Sequence, residues 1–275
     1  MKNYLPSSIL KKNAREQLFG KLGTVIGAFL LHMLCFLPVY VLSDLFRSDS
    51  VISILASMAV SIGLELLVTA ILSAGEGLIY LKVACNQEVA VTDLFAGYKG
   101  MIPKIIGIRI IPVLVSNILA LPVSFLNGIT YSMVPDMQNF SQKYFELLLK
   151  NDINGLMKLE EELQPTMPWV FGTLGAMLLY ALIMIALKVM FSQTNFLIWD
   201  FPDKSAGEII KSGFKVMKGN WGRYIYVMLS FIPWYLCGFI TCYISFAWTF
   251  PYVNATYANF YIDLMKNYEK TKDND

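Results

Sequence analysis

Residues 51–83 read VISILASMAVSIGLELLVTAILSAGEGLIYLKV, and the only charges in them are Glu65, Glu76 and, near the end, Lys82. A helix crosses a bilayer on roughly 20 mostly apolar residues. This run is therefore a membrane span with length to spare for tilt. Similar runs lie on either side, at 22–43, 103–126 and 168–199. The first follows a polar stretch and has no small-residue cleavage site, so it reads as a retained span and not a signal peptide. The run 222–250 carries no charge after Arg223. As one straight helix it would be about 43 Å long, against a hydrocarbon core of about 30 Å. It divides into spans 222–241 and 243–264. The last holds Pro251, Asn254 and Asn259, whose polar groups must face other helices. Five spans with an interfacial C-terminal helix is the alternative.

Composition agrees. Of 275 residues, 56% are hydrophobic and 15% charged, and the formal net charge is +2. Soluble domains are nearer ~45–50% apolar and ~25% charged. The balance excludes a soluble globular enzyme, a disordered chain and a basic nucleic-acid binder. Four cysteines without close pairing exclude a disulfide scaffold. The fold class is all-α: a polytopic transmembrane helix bundle of about six spans, forming one integral membrane domain over 1–275.

Lys and Arg set the orientation. With six spans, one side carries segments 1–21, 82–104, 200–223 and 265–275 with sixteen of them. The other side carries 44–50 and 127–167 with four. Both termini are expected in the cytoplasm of a cell membrane. Trp169, Trp199, Trp221 and Trp248 fall near the expected interfaces, as an aromatic belt would. The extracytoplasmic loop 127–167 reads as two short helices around Asn151–Gly155, with Asp152 placed to cap the second. Leu156, Leu159 and Leu163 share one face of that helix. Asn139-Phe140-Ser141 is a formal glycosylation sequon.

Three segments on the basic side look alike. Leu18-Phe19-Gly20-Lys21-Leu22-Gly23 resembles Met217-Lys218-Gly219-Asn220-Trp221-Gly222. Asp93-Leu94-Phe95-Ala96-Gly97-Tyr98-Lys99 resembles Ile209-Ile210-Lys211-Ser212-Gly213-Phe214-Lys215. Each belongs to a short amphipathic, interfacial helix leading into a span. Two readings stand: a threefold repeat of helix plus transmembrane hairpin, an arrangement that places binding sites where repeats meet, or the common look of any Lys/Gly-rich helix entering a membrane.

Ionisable groups inside spans cost ~2.5–3.5 kcal/mol or more near the centre, so they are the candidates for function. They are Glu65, Glu76, Arg109 and Lys188, with the lone histidine, His32. At ~1.5 Å per residue, Glu76 and Arg109 both sit ~9 Å inside the same boundary and are placed to pair. Lys188 lies ~18 Å deep and Glu65 ~25 Å, and the lysine side chain bridges part of that gap. Asn117 and Gln193 are positioned to complete a polar site for an ion, a proton or a lipid headgroup. The bland reading is two buried ion pairs that fix helix register. Glu65 and Glu76 share a helix face but stand ~16 Å apart, too far to act on one bond. Gly23, Gly27, Gly172 and Gly175 suit close helix contact. Pro38, Pro112, Pro122, Pro233 and Pro251 are expected to kink spans.

No phosphate-binding loop, metal-binding histidine pair or nucleophile elbow occurs. No cofactor and no metal is implied. Lys211, Lys215, Lys218 and Trp221 form a basic–aromatic flank suited to anionic headgroups. The functional expectation is a non-enzymatic scaffold that binds membrane lipids or another membrane protein. A small transporter, channel or lipid translocator using the charged cluster is the alternative.

Several motifs carry a family resemblance. Ser212-Gly213-Phe214-Lys215-Val216-Met217-Lys218-Gly219-Asn220, then Leu229-Ser230-Phe231-Ile232-Pro233-Trp234, then Phe250-Pro251-Tyr252 with Ala255, Ala258 and Phe260-Tyr261, together with Ala14-Arg15-Glu16-Gln17-Leu18 and Gly20-Lys21, resemble the bacterial integral-membrane family called domain of unknown function 975. Pro233 stands where that family's pattern has glycine, and 127–167 matches least. The resemblance implies a polytopic protein of the bacterial cytoplasmic membrane and brings no activity and no catalytic residues. More remotely, the layout is similar to membrane domains attached to some glycerophosphodiester phosphodiesterases, whose hydrolase part has no counterpart here.

Overall fold

The computed structural model describes residues 4–45, 51–133, 137–164 and 167–272. Among them there are helices and no strands. The helices are α1 (Ser7–Leu18), α2 (Leu22–Leu45), α3 (Val51–Leu64) and α4 (Ala70–Ala84), with the π turn Glu65–Thr69 joining α3 to α4. A 3-10 helix (Val91–Tyr98) leads to α5 (Ile102–Met133), α6 (Met137–Leu149), α7 (Ile153–Leu163) and α8 (Met167–Met190). Then follow α9 (Thr194–Asp200), α10 (Ala206–Met217), α11 (Trp221–Leu229), α12 (Ile232–Ile240) and α13 (Phe246–Lys272).

Four helical stretches are long and apolar enough to cross a membrane: Leu55–Ala84, Ile102–Thr130, Met167–Asp200 and Trp221–Ile240. A fifth is added if α1 and the first part of α2, which meet at 96°, count as one broken span. A helical membrane bundle fits this architecture. Only 6% of the most apolar part of Met167–Asp200 is buried inside the protein, so its side chains need an apolar solvent. α13 is not among the four, and its burial explains why. Ala255, Ala258, Phe260, Tyr261 and Leu264 are at most 1% exposed, enclosed by α1, α2, α4, α10 and α12. A helix surrounded by protein can carry tyrosine and asparagine where a lipid-facing one cannot.

The chain divides into two compact units. The first is 1–113 with 187–275, and the second is 114–186. Within the first unit, three short helices end the same way. After α1 comes Gly20 at φ +79°, after the 3-10 helix Gly100 at +84°, and after α10 Gly219 at +83°. Gly20 and Gly100 precede the long helices α2 and α5, and Gly219 precedes α11. Glycine reaches this left-handed region without steric cost. Lys21 N–H bonds Leu18 O at 3.0 Å, and Asn220 N–H bonds Met217 O at 2.8 Å, as a turn with positive φ at its third residue requires. Gly97 and Gly213 also match in packing. Gly97 rests on Ile71 beside α4, and Gly213 rests on Leu197 and Thr194 of α9. The middle segment reaches its turn three residues earlier than the third.

The run 222–250 is broken twice, at Ser230–Phe231 and at Thr241–Ser245. In the second break Cys242 and Tyr243 take φ of +49° and +69°. The Phe246 ring lies over Gly238, where an added Cβ would stand 1.9 Å from a ring carbon. Pro233 heads α12, whereas Pro38 and Pro251 lie inside helices that continue past them.

In the second unit, α6 and α7 form a helical hairpin. Asn151 turns it at φ +52°, and the Asp152 carboxylate accepts from Gly155 N–H at 3.0 Å, capping α7. Leu159 is 6% exposed. The side chains of Leu163, Asn139 and Ser141 lie outside the described residues. Thr130 of α5 and Thr173 of α8 meet hydroxyl to hydroxyl at 3.0 Å.

Candidate functional site

Two polar layers cross the first unit. In the inner one, His32 of α2 faces Glu76 of α4, Nδ1 to Oε1 at 3.0 Å, with side chains 8% and 17% exposed. One turn along α4, the Tyr80 hydroxyl bonds the Asn254 side chain of α13 and lies in the field of Glu76. This close polar contact and one hydrogen bond thus tie α2, α4 and α13 together.

Arg109 of α5 donates from Nη2 to Asn195 Oδ1 of α9 at 2.6 Å. Glu65 acts on the same guanidinium electrostatically. Asn195 is seated on Gly77, where an added Cβ would lie 2.7 Å from the Asn195 carbonyl oxygen. Gly77 follows Glu76 directly, so the Arg109–Asn195 and His32–Glu76 contacts occupy one level of the bundle. Trp199 Nε1 fixes α9 further, donating to Ala74 O at 2.8 Å.

Glu65 opens the π turn, whose last bond runs from Ala70 N–H to Glu65 O. A π turn inserts one residue into the helix and rotates the following face by about 100°. Glu65 and Glu76 therefore do not share a face, contrary to the straight-helix expectation. Tyr98 steadies the turn by donating its hydroxyl to Leu67 O at 2.8 Å.

Glu76 and Arg109 stand at one level but do not pair with each other. Glu76 takes His32, and Arg109 takes Asn195 with Glu65 nearby. Rise per residue fixes depth and says nothing of azimuth. Lys188 stays outside the group. It lies exposed in the last turn of α8 and makes no hydrogen bond or ion pair among the described residues. α8 ends two residues later, at Met190. There a lysine complements the helix C-terminus. Gln193 is 1% exposed and donates to Ser192 Oγ at 2.9 Å. Asn117 belongs to the second unit. Asn195 went unnoticed in the sequence, although Asn195-Phe196 echoes Asn259-Phe260 in α13.

The glycines that permit close approach are also different ones. Gly23, Gly172 and Gly175 have nothing within 4 Å of an added Cβ, and Gly27 has only the Val91 side chain at 3.7 Å. Gly75 carries the tight contact, where a Cβ would stand 1.9 Å from Leu94 O.

The second polar layer lies around α1, α10 and the end of α13. Lys82 and Asp93 pair at 2.8 Å, and Asp93 also accepts from Ala90 N–H at 3.0 Å. Asn259 donates to Gln17 Oε1 at 2.6 Å, and Gln17 donates to Ala84 O at 3.0 Å. Tyr261 hydrogen-bonds Asp200. Arg223 and Asp263 form an ion pair that also holds the backbone of Leu5. On α10, Ile209, Gly213, Val216 and Met217 are buried against the protein, while Lys211, Lys215 and Lys218 are exposed. Trp221 is half-buried, its ring 6.1 Å from Phe214. The apolar face of α10 thus packs on the bundle, and its lysines project outward. Ser205 and Glu208 cap α10 reciprocally, and the hydrogen bonds from Ser205 hold the Glu208 carboxyl below its ordinary value.

The model of the family described as Protein of unknown function (DUF975) matches residues 1–268. No curated protein and no solved structure matches the chain.

Proposed function

We propose that this chain, which belongs to the family of unknown function 975, is a scaffold of the cell membrane that holds a protein partner or anionic lipid without catalysis. The carrying observation is how the buried charges are used. His32–Glu76 joins α2 to α4, and Arg109–Asn195 joins α5 to α9. Groups engaged in helix-to-helix contacts fix register and orientation and are not left over for a solute. The exposed lysines of α10 supply the attracting surface. The sixteen-to-four distribution of Lys and Arg supports a cytoplasmic position for that surface and for both termini.

The test is native mass spectrometry of the full chain released gently from its own membrane. A co-purifying protein, or a retained anionic phospholipid lost on Lys211→Gln/Lys215→Gln/Lys218→Gln, supports the scaffold. A chain that carries a small solute instead contradicts it.

One observation favours a second reading, that of a small transporter, channel or lipid translocator. π turns are frequent at functional sites, and this one begins at a half-buried carboxylate, Glu65. On that reading Glu65 and Arg109 bind a solute or proton, and Glu65→Gln abolishes flux in proteoliposomes while leaving the fold intact.

A further inference from the structure

The chain's own N-terminal residues lie in a built recognition site. Leu5 N–H points to both carboxylate oxygens of Asp263, at 3.3 and 3.2 Å. Leu5 C=O accepts from Arg223 Nη2 at 2.6 Å. Arg223 and Asp263 are themselves paired, so one acid–base pair reads both main-chain groups of one residue. The guanidinium lies between two rings, 4.8 Å from Tyr4 and 4.7 Å from Phe260. Such cation–π contacts strengthen on desolvation. Asn220, 4% exposed, donates to the Tyr4 hydroxyl at 3.0 Å. The site therefore selects an extended segment with a tyrosine followed by any residue offering a free N–H and C=O.

Holding α1 in place does not need this site. Leu10, Ala14 and Leu18 are 0%, 0% and 1% exposed and pack α1 onto α13 and α4. The Leu5 side chain, by contrast, is 37% exposed. The occupant is held by its backbone and by the Tyr4 ring, which packs partly buried against the core, while Leu5 adds little apolar burial. If Tyr4–Leu5 leaves, Asp263 keeps Arg223 as its partner, so no buried charge is orphaned. Departure is then far easier than breaking a buried pair. Segments that add through main-chain hydrogen bonds, with a side-chain pocket for selectivity, are a general mode of peptide recognition.

We infer that the Arg223–Asp263 pair is a docking site for an extended, tyrosine-bearing segment of a partner protein, occupied in cis by Tyr4–Leu5 until the partner displaces it. The inference rests on the scaffold reading and names the chemistry of its partner.

The probe is a fluorescent peptide copying residues 1–9 of this chain, titrated into the detergent-solubilised full chain. Tyr4→Ala weakens the internal competitor. That variant is expected to bind the peptide saturably and at least tenfold more tightly than the wild type. A peptide with alanine in place of its tyrosine is expected to lose binding at least tenfold. Absence of saturable binding to the Tyr4→Ala chain, or equal binding of the two peptides, overturns the inference. Hydrogen exchange on the wild type checks it without any variant. The Leu5 amide is expected to exchange at least tenfold faster than the Leu10 and Ala14 amides. Equal protection would mean that the segment does not detach, and the inference fails. A partner that co-purifies while the peptide does not bind would leave the scaffold standing and remove only this site.

Discussion

Replacing Gly75 by alanine should unseat the 3-10 helix from α4. The added Cβ would stand 1.9 Å from Leu94 O, 2.5 Å from Leu94 C and 2.9 Å from Leu94 Cα. All three are backbone atoms, so no side-chain rotation relieves the clash. Ordinary contact begins at 3.4 Å, so the 3-10 helix must retreat by about 1.5 Å. Leu94 is fully buried, and Gly97 sits with an added Cβ 2.8 Å from the Ile71 side chain and 2.9 Å from Ile105, so the retreat opens both contacts. It also stretches the 2.8 Å bridge between Lys82 and Asp93. Overpacking alone costs about 1–3 kcal/mol, sometimes more. With the lost contacts the total should reach at least ~3 kcal/mol. At about 2–4 °C per kcal/mol for a chain of this order of size, the melting temperature falls by roughly 6–12 °C. Gly172→Ala is the control. Nothing lies within 4 Å of its Cβ, and removing a glycine from a helix interior gains about 0.5–1 kcal/mol. Thermal melts of both variants in one detergent decide the matter. If Gly75→Ala melts with the wild type, or Gly172→Ala falls as far, the close-packing argument is wrong.

Other outcomes follow from the same contacts. Glu76→Leu or His32→Leu alone should cost about 1–3 kcal/mol by leaving a buried polar partner unmatched. The double substitution should cost less than the sum, and additive losses in the melting cycle would deny the pair. Tyr98→Phe removes the bond to Leu67 O and should cost about 1 kcal/mol, with faster amide exchange confined to the region of the π turn; unchanged exchange there would separate Tyr98 from the turn. Glu208 is held below its ordinary value by Ser205, so its contribution to α10 is present above the ordinary carboxylate range and lost as pH falls through the lowered value. Ser205→Ala should remove that part of the acid sensitivity, read by circular dichroism between neutral and acid pH.

The fold was largely legible because membrane helices declare themselves by unbroken apolar length, and five such runs stand out. Two of the left-handed turns were legible too, since such a turn accepts glycine most readily and Gly20 and Gly219 sit in matching strings. Partner choice was not legible. Arg109 and Glu76 were placed at one level, but level constrains a residue to a ring of neighbours and not to one of them. The π turn at Glu65 has no signature in composition or spacing, yet it turns everything after it by about a quarter revolution or more. Lys188 was placed near Glu65 by depth alone, and depth does not say that its side chain stays exposed. The clamp on Tyr4–Leu5 escaped notice because Arg223 and Asp263 lie forty residues apart and look, in sequence, like ordinary charges at span ends.

The central claim is that the buried charges hold helices together and are not a solute site. The most direct test is the pair of variants Glu65→Gln and Arg109→Gln, compared with the wild type by native mass spectrometry and by melting. The scaffold account predicts that both variants melt earlier while the set of bound lipids and partners is unchanged. A bound species that disappears from variants as stable as the wild type would contradict it and make Glu65 and Arg109 the heart of a transport site.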